Sequence, residues 1–261
     1  MKTRMGQSIP TSPIRRIWVI WLMLWLALFM LVPARAASDS FILVLTADGT
    51  VTPAMAGYLQ RGIRTAEQRS AEMLVFQLNT PGGSISVMNE MVQMIRQSSV
   101  PVVVYVAPRG AMAGSAGAIL TIAGHVSAMA PETIIGAASP VGGEGEDLDE
   151  TMEAKEKNAL LATIETLMED RPAEAVAMAK QMVETAKAIS ASQALNIGMV
   201  DFIASDLRDL LQQLNGYEVN IQDEMRTLQT QKALVEEMPI SLIEQILLVL
   251  TDPNVVFLLI S

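Results

Sequence analysis

The side chain best suited to chemistry is a serine set among small residues. Ser115 lies in the segment Ala113-Gly114-Ser115-Ala116-Gly117, just before an apolar helical run. A hydroxyl at a helix start, with small neighbours that leave room for a substrate, is suited to act as a nucleophile. The same pattern also fits a helix N-cap, with glycine and alanine allowing the helix to approach a sheet. The residues around Ser115 leave both interpretations open.

Backbone amides near this serine predict a site for a negatively charged oxygen. The turn Asn79-Thr80-Pro81-Gly82-Gly83 lies between a strand and a helix, as the Ser115 segment does. N–H groups at such turns and helix starts stabilise the oxyanion that forms in acyl transfer. The candidate donors are the amide of Gly82 or Gly83 and the amide of Ala116.

The general base that a serine requires is less easily found. The chain has no cysteine and one histidine, His125, which follows Ser115 by only ten residues. An α/β-hydrolase needs an acid and then a distant histidine after the serine, so that class is disfavoured. A lysine kept neutral by burial is another common base. Lys155 and Lys157 are the candidates, although each also fits an ordinary solvated surface lysine.

The elements that position these residues alternate along the chain in the manner of an α/β domain. Valine-rich and other apolar runs predict strands over Phe41 to Leu45, Met73 to Leu78, Val100 to Val106, Val126 to Ala130, Thr133 to Gly136 and Met199 to Ile203. Helices are predicted from Pro53 towards Ser70, from Ser84, after Met112, and over Met152 to Met168, Ala173 to Thr185, Gln193 to Leu195 and Ser205 to Asn215. A loop rich in glycine and acid, residues 139 to 150, is expected to be mobile.

Charge is distributed unevenly and excludes one class of partner. The chain has 28 acidic and 18 basic residues, and five of the basic residues lie in the first 36 positions. The remaining 13 basic residues face 28 acidic ones, a net charge of −15. Because nucleic-acid binding depends on Lys and Arg at phosphates, DNA or RNA binding is not expected. No cofactor or metal site is predicted either.

Both ends of the sequence are apolar. Ile17 to Val32 follows Arg15-Arg16 and precedes Ala34-Arg35-Ala36, the pattern of a secretory signal or an N-terminal anchor. Residues 1–36 are therefore assigned to this segment, with the rest of the chain exported. Residues 37–221 form the predicted α/β domain. Residues 222–261 are interpreted as a linker and the start of a truncated transmembrane region, with a surface or buried helix as the alternative.

Several motifs, taken together, resemble the NfeD family of membrane-bound serine proteases, in the long form also called stomatin operon partner proteins. They are the turn Thr80-Pro81-Gly82-Gly83, the run from Val100 to Ala111, Ser115-Ala116-Gly117, Met129-Ala130-Pro131 and Ile135-Gly136-Ala137-Ala138. The similarity extends from about Phe41 to Ile203 in order and spacing.

This resemblance implies a ClpP/crotonase-like fold of repeated ββα units and a Ser-Lys dyad. Ser115 is then the nucleophile, and Lys155 is the base because it occupies the first position of the family's Lys-x-x-Asn pattern. The resemblance implies an oxyanion hole of Gly82 and Ala116, with Gly83 close by and contacting substrate. It also implies a homodimer and a protein substrate such as a stomatin-like membrane protein, while the N-terminal signal pattern places the domain on the extracytoplasmic side of a membrane.

Three positions depart from the family pattern. Asn79 stands where Asp is usual, Gly114 where Ala is usual, and Glu132 where a Pro-Gly-Thr turn has Gly. We expect Gly114 to add flexibility beside the nucleophile and Glu132 to alter its turn. Two other functions stay open: a noncatalytic assembly partner of a membrane scaffold protein, and a crotonase-like enzyme acting on acyl thioesters, which an export signal disfavours.

Overall fold

The computed structural model describes residues 40–140 and 149–251, together with Trp18 and Trp21. The two tryptophans belong to a separate unit, Met1–Ser38, where each is helical and exposed. The rest of the predicted signal segment, most of the loop 139–150 and the residues after 251 lie outside the described residues. The second unit begins at Asp39 and contains the α/β domain.

A six-stranded, all-parallel sheet forms the centre of this unit, in the order β11-β1-β2-β3-β5-β8. Its strands are β1 (Phe41–Asp48), β2 (Met73–Asn79), β3 (Val102–Val106), β5 (Val126–Met129), β8 (Phe202–Ile203) and β11 (Leu234–Glu237). The central strand β3 is buried along its whole length. Parallel sheets are covered on both faces, which is why such strands are continuously apolar. The α/β prediction is confirmed.

A second sheet of three short strands lies beside the first, in the order β4-β6-β7. These strands are β4 (Met112–Gly114), β6 (Ile134–Gly136) and β7 (Ala188–Ser190), and a separate hairpin is formed by β9 (Glu218–Ile221) and β10 (Glu224–Thr227). Strands of the first and second sheets alternate in two ββα units, each consisting of a long strand, a short strand and a helix. The short strand β4 begins within a stretch for which the sequence predicts only a helix.

The helices cover the main sheet. They are α1 (Pro53–Gln68), α2 (Ile85–Gln97), α3 (Ala116–Ala123), α4 (Glu150–Leu167), α5 (Ala173–Glu184), α6 (Ala191–Asn196), α7 (Leu207–Leu214) and α8 (Leu242–Thr251). Helix α1 begins as its sequence predicts, since the Thr52 hydroxyl accepts a hydrogen bond from Met55 N–H and Pro53 occupies the first turn. The larger core packs α1, α2 and α3 on one face of the sheet, and a smaller core packs α7 on the other.

The segment after residue 221 differs from the predicted linker. The proposed boundary falls inside the β9–β10 hairpin, and β11 extends the main sheet by pairing in parallel with β1. Side chains reinforce this edge, because Arg69 makes two hydrogen bonds, of 2.7 and 2.9 Å, to Glu236. The sequence Leu-Val-Glu-Glu of β11 lacks an apolar alternation, and backbone pairing rather than side-chain burial holds it. Within the described ranges, no helix combines the length and hydropathy required to cross a membrane.

Candidate active site

Ser115 occupies a strained position between β4 and α3. Its φ and ψ are 50° and −117°, a conformation that residues with a side chain seldom adopt. It stands at the N-cap of α3, yet its side chain makes no capping hydrogen bond. Its N–H instead donates to Gly136 O at 2.8 Å, which fixes the backbone, and Ser115 lines a cleft. This geometry favours the nucleophile over the helix-cap interpretation.

Thr80 joins the glycine turn to the strand that carries the serine. Its N–H donates to Met112 O at 2.8 Å, and its carbonyl accepts from Gly114 N–H at 2.9 Å. Thr80 is fully buried. Asn79 adds a third link, since its side-chain oxygen accepts from Met112 N–H at 3.0 Å. The two turns therefore form one rigid unit.

The two glycines of the turn differ in what their amides do. Gly82 is buried, and its N–H donates to the Thr80 hydroxyl at 3.0 Å. Gly83 is exposed and lines the cleft. Its neighbours Gly82 and Ser84 make the two hydrogen bonds to Val51, so the Gly83 N–H has no partner among the described residues. The free amide of this turn thus belongs to Gly83, one of the two donors that the sequence left open, whereas the family resemblance implies Gly82.

A second free amide comes from the start of α3. Ala116 is the first residue of this helix, where N–H groups have no intrahelical acceptor. Ala116 also lines the cleft beside Ser115. All eight residues of α3 are buried, so the positive end of its dipole lies in a site with restricted access to water. Ser115, Gly83 and Ala116 therefore combine a hydroxyl with two amides suited to an oxyanion.

The cleft around Ser115, here called the Ser115 cleft, has a volume of about 720 Å³. Its apolar lining includes Met88, Ile119 and Leu160, each at most 4% exposed. Hydroxyl side chains contribute the polar lining, and no charged side chain of the described part of the chain lines it. The remaining lining residues are Thr50, Val51, Thr52, Pro53, Pro81, Ser84, Ile85, Ser86, Ala137, Ala138, Ser139 and Pro140. Such a cleft suits an uncharged, largely apolar ligand.

Two departures from the family pattern have clear structural effects. A Cβ at Gly114 would lie 2.7 Å from Pro81 O, so this glycine allows the two turns to approach closely. The expectation that it mainly adds flexibility is therefore replaced by a packing role. Glu132 adopts φ 64°, the left-handed conformation that favours glycine. Its carboxylate lies 3.7 Å from Arg109 at the surface.

The structure does not bring the predicted base to the serine. Lys155 lies on α4 with an exposed side chain and is not among the residues that line the Ser115 cleft. Lys157 forms an ion pair of 2.6 Å with Glu153 along the same helix. Helix α4 reaches the cleft through Leu160, five residues after Lys155. Only Leu160 and Ile164 of this helix are buried, so the turns that carry both lysines make few contacts with the core.

His125 lies in a different polar cavity, together with Arg96, Arg171 and Asp201. Its Nδ1 accepts a hydrogen bond from Val102 N–H at 3.1 Å. Burial, with a smaller effect of the Arg96 charge, lowers the pKa of His125 to about 4. The side chain is therefore neutral near pH 7 and outside the Ser115 cleft. Within the described residues, the cleft contains no histidine to serve as the base.

The architecture of the domain identifies its fold class, and a match to a family model then identifies its family. The parallel sheet and the short side sheet form an α/β fold of the ClpP type. ClpP1 from Listeria monocytogenes matches it with a TM-score of 0.52 at 16% identity, over 64% of this chain and 94% of that chain. The chain belongs to the NfeD family, because residues 41–224 match the family model described as NfeD1b, N-terminal domain.

Relatives within this family are more similar. The membrane-bound protease PH1510 of Pyrococcus horikoshii is 32% identical over 228 residues, covering 86% of this chain and 51% of that protein. The membrane protein NfeD1b of Bacillus subtilis is 28% identical over 194 residues, covering 70% of this chain and 43% of that protein. The chain thus spans about half the length of the curated relatives it matches.

Solved structures of the Pyrococcus horikoshii 1510-N membrane protease, which is specific for a stomatin homolog, also match. The structure of that protease has a TM-score of 0.70 at 28% identity, over 82% of this chain and all of that chain. A lysine-to-alanine mutant of the stomatin-specific 1510-N protease, in complex with a substrate peptide, has a TM-score of 0.73 at 28% identity. That match covers 80% of this chain and 97% of that chain.

Proposed function

We propose that this chain is a membrane-associated serine endopeptidase whose nucleophile is Ser115. The observation that carries the proposal is the position of Ser115, whose hydroxyl makes no capping bond and which lines one cleft with Gly83 and Ala116, the two residues with free amides. Relatives named as membrane-bound and stomatin-specific proteases support the same activity. The substrate is then an apolar segment of a stomatin-like membrane protein, bound on the extracytoplasmic side by a homodimer.

The proposed reaction is acyl transfer to the serine. Ser115 Oγ attacks the peptide carbonyl carbon while its proton passes to the side-chain nitrogen of Lys155. The carbonyl oxygen becomes an oxyanion, held by the N–H groups of Gly83 and Ala116, and loss of one such donor costs roughly 2.7–4 kcal/mol in comparable sites. The intermediate then collapses, Lys155 returns the proton to the departing amine, and water hydrolyses the acyl-enzyme by the same steps.

We assign the second donor to Gly83 rather than Gly82. An amide that already donates to a buried hydroxyl, as Gly82 does to Thr80, would have to break that bond to serve an oxyanion. Oxyanion stabilisation is effective because its donors need no rearrangement during the reaction. The unpaired Gly83 N–H meets that condition.

Formation of the dyad requires the first turns of α4 to move. Five residues separate Lys155 from Leu160, which is about 7.5 Å along the helix axis. These positions also differ by about 140° around the axis, so Lys155 faces away from the cleft that Leu160 lines. Because Lys157 is already paired with Glu153, Lys155 is the one of these two lysines without a competing ion pair among the described residues. We propose that substrate binding re-orients this part of α4.

A covalent probe tests the nucleophile. A fluorophosphonate should label the purified chain and fail to label Ser115→Ala, and the same variant should not hydrolyse an apolar peptide. Equal labelling of both proteins would contradict the proposal and favour a noncatalytic assembly role, which the exposed Lys155 also fits.

A matched pair of variants tests the base. Lys155→Ala should lower peptide hydrolysis by about 10²–10⁴-fold, the usual contribution of general base catalysis. Lys157→Ala, two residues away on the same helix, should change it by no more than about twofold, as expected for a surface ion pair. The opposite order of effects would assign the base to Lys157.

A further inference from the structure

Helix α8 exposes five large aliphatic side chains in its described part, and four of them lie along one side. The exposed fractions are 76% for Leu242, 72% for Ile243, 59% for Ile246 and 50% for Leu250. At about 100° per residue, these four positions fall within a sector of about 100° around the helix axis. We call them the α8 stripe. A contiguous apolar patch of this kind marks an interaction surface rather than scattered exposed residues.

The opposite side of α8 is fixed to the domain. Glu244, about 200° around the axis from Leu242, accepts hydrogen bonds of 2.9 and 2.6 Å from the guanidinium of Arg61. Arg61 also donates to Pro239 O at 3.0 Å. The hydrogen bonds from Arg61 lower the pKa of Glu244 to about 2. We call these contacts the Arg61 clamp, and they hold α8 so that its stripe faces outward.

The clamp is connected to the Ser115 cleft by a single rigid element. Arg61 lies on α1, whose first residue, Pro53, lines the cleft. Eight residues separate the two, about 12 Å along the helix axis. A second contact reinforces the connection, because the hydroxyl of Tyr58 on α1 donates to Met238 O and accepts from Thr46 N–H. The position of α8 relative to the cleft is therefore fixed through α1.

The chemistry of the stripe favours lipid over another protein surface. It is purely aliphatic, whereas protein interfaces are enriched in Tyr, Trp and Arg anchors. The sequence continues from α8 through Asp252-Pro253 to six consecutive apolar residues, Val255 to Ile260. The polar side of α8 carries an acid and no basic residue, and the chain has a net charge of −10. These features fit burial of apolar area in an uncharged lipid surface rather than attraction to anionic headgroups.

We propose that α8 lies in the surface of a lipid bilayer through the α8 stripe, and that the Arg61 clamp thereby holds the Ser115 cleft at a fixed orientation to the membrane. The first half of this proposal concerns binding alone. The second half rests on the proposed protease function, with Arg61 as a positioning residue for substrates that emerge from the bilayer.

The absence of cysteine allows a direct test of the binding half, since one introduced thiol can be labelled alone. Ile246→Cys and the control Met225→Cys, on the β10 hairpin and 65% exposed, are each labelled with an environment-sensitive fluorophore in the full chain. With phosphatidylcholine vesicles, the label at 246 should brighten and be quenched by nitroxide lipids, while the label at 225 should not. The control accounts for any membrane contact made by other apolar segments.

Two results would overturn lipid binding. One is that the chain binds the vesicles, yet the fluorescence of the label at 246 neither increases nor is quenched by nitroxide lipids. The other is brightening at 246 that depends on protein concentration in the absence of vesicles, which would assign the stripe to a second copy of the chain.

The clamp is tested with one peptide presented in two ways, free in solution and inserted in phosphatidylcholine vesicles. Arg61→Ala should leave cleavage of the soluble peptide within twofold and reduce cleavage of the inserted peptide at least about tenfold, since small misplacements of a reacting group are costly. Pairing Arg61→Glu with Glu244→Arg should restore cleavage relative to either single variant. Equal effects on both peptides, or none on the inserted one, would overturn the clamp role. If the unmodified chain cleaves neither peptide, the proposed protease function fails, while the label at 246 still decides lipid binding.

Discussion

Acid should destabilise this fold through one identifiable group, His125. In the folded chain its Nδ1 already accepts a hydrogen bond from Val102 N–H, and burial lowers its pKa to about 4. In the unfolded chain the imidazole is free to take up a proton near pH 6.5. Between these two values the unfolded state binds more protons than the folded state, so the free energy of unfolding rises with pH.

The size of this effect follows from the displacement of the pKa. Each unit corresponds to 1.36 kcal/mol, so lowering the pKa from 6.5 to about 4 makes a contribution of about 3 kcal/mol. This stability is fully present above pH 6.5, is lost as the pH falls towards 4, and changes no further below that. For comparison, natural domains have total unfolding free energies of about 5–15 kcal/mol.

Urea unfolding at pH 4, 5, 6, 7 and 8 measures the effect directly. His125→Asn is the control, because the asparagine carbonyl can accept the bond from Val102 without titrating. The free energy difference between the unmodified chain and this variant should shrink by about 3 kcal/mol from pH 7 to pH 4. Parallel pH dependences for the two proteins would refute the reasoning and show that His125 is not held neutral by the fold.

Two further substitutions test the site and the scaffold. Gly82→Ala would place a Cβ 2.6 Å from Ser115 Cβ, and we expect peptide hydrolysis to fall by about 10²-fold with the circular dichroism unchanged. Gly49→Ala is its control, since Gly49 also has a positive φ but nothing within 4 Å, and it should keep full activity. Arg171→Met should lower the free energy of unfolding in urea by about 2 kcal/mol, because it leaves the Asp201 carboxylate without its two hydrogen bonds from Arg171. That value lies below the roughly 3–5 kcal/mol for breaking a fully buried ion pair, since a quarter of the Arg171 side chain is exposed. An unchanged free energy of unfolding would show that water replaces the hydrogen bonds from Arg171 to Asp201.

Elements with strong apolar patterns could be predicted from the sequence. The strand predicted over Val100 to Val106 is observed as Val102–Val106, and the helix predicted from Pro53 begins at that residue. In both cases the local sequence preference and the burial of the side chains favour the same secondary structure. Strand β11 could not be predicted in this way, because its pairing with β1, distant in sequence, decides its conformation.

In the candidate site, too, some features could be predicted from the sequence and others depend on the folded structure. Ser115 and the glycine turn stand out in the sequence, since small residues beside a hydroxyl form a recognisable local pattern. The distinction between Gly82 and Gly83 depends on where the Thr80 hydroxyl points, which only the folded turn determines. The position of Lys155 depends on how far α4 packs against the core, and its exposed first turns carry no apolar pattern that fixes them.

The backbone of Ser115 has a consequence for how this chain would respond to selection. A positive φ at a residue with a side chain costs about 1–3 kcal/mol, a cost that glycine largely avoids. Ser115→Gly should therefore raise the thermal midpoint of unfolding while it removes the hydroxyl. A library screened only for thermal tolerance should be enriched in this variant, whereas one screened for the proposed peptide hydrolysis should lose it. Comparing the two screens at this single position would measure how much stability the chain loses by keeping a hydroxyl there.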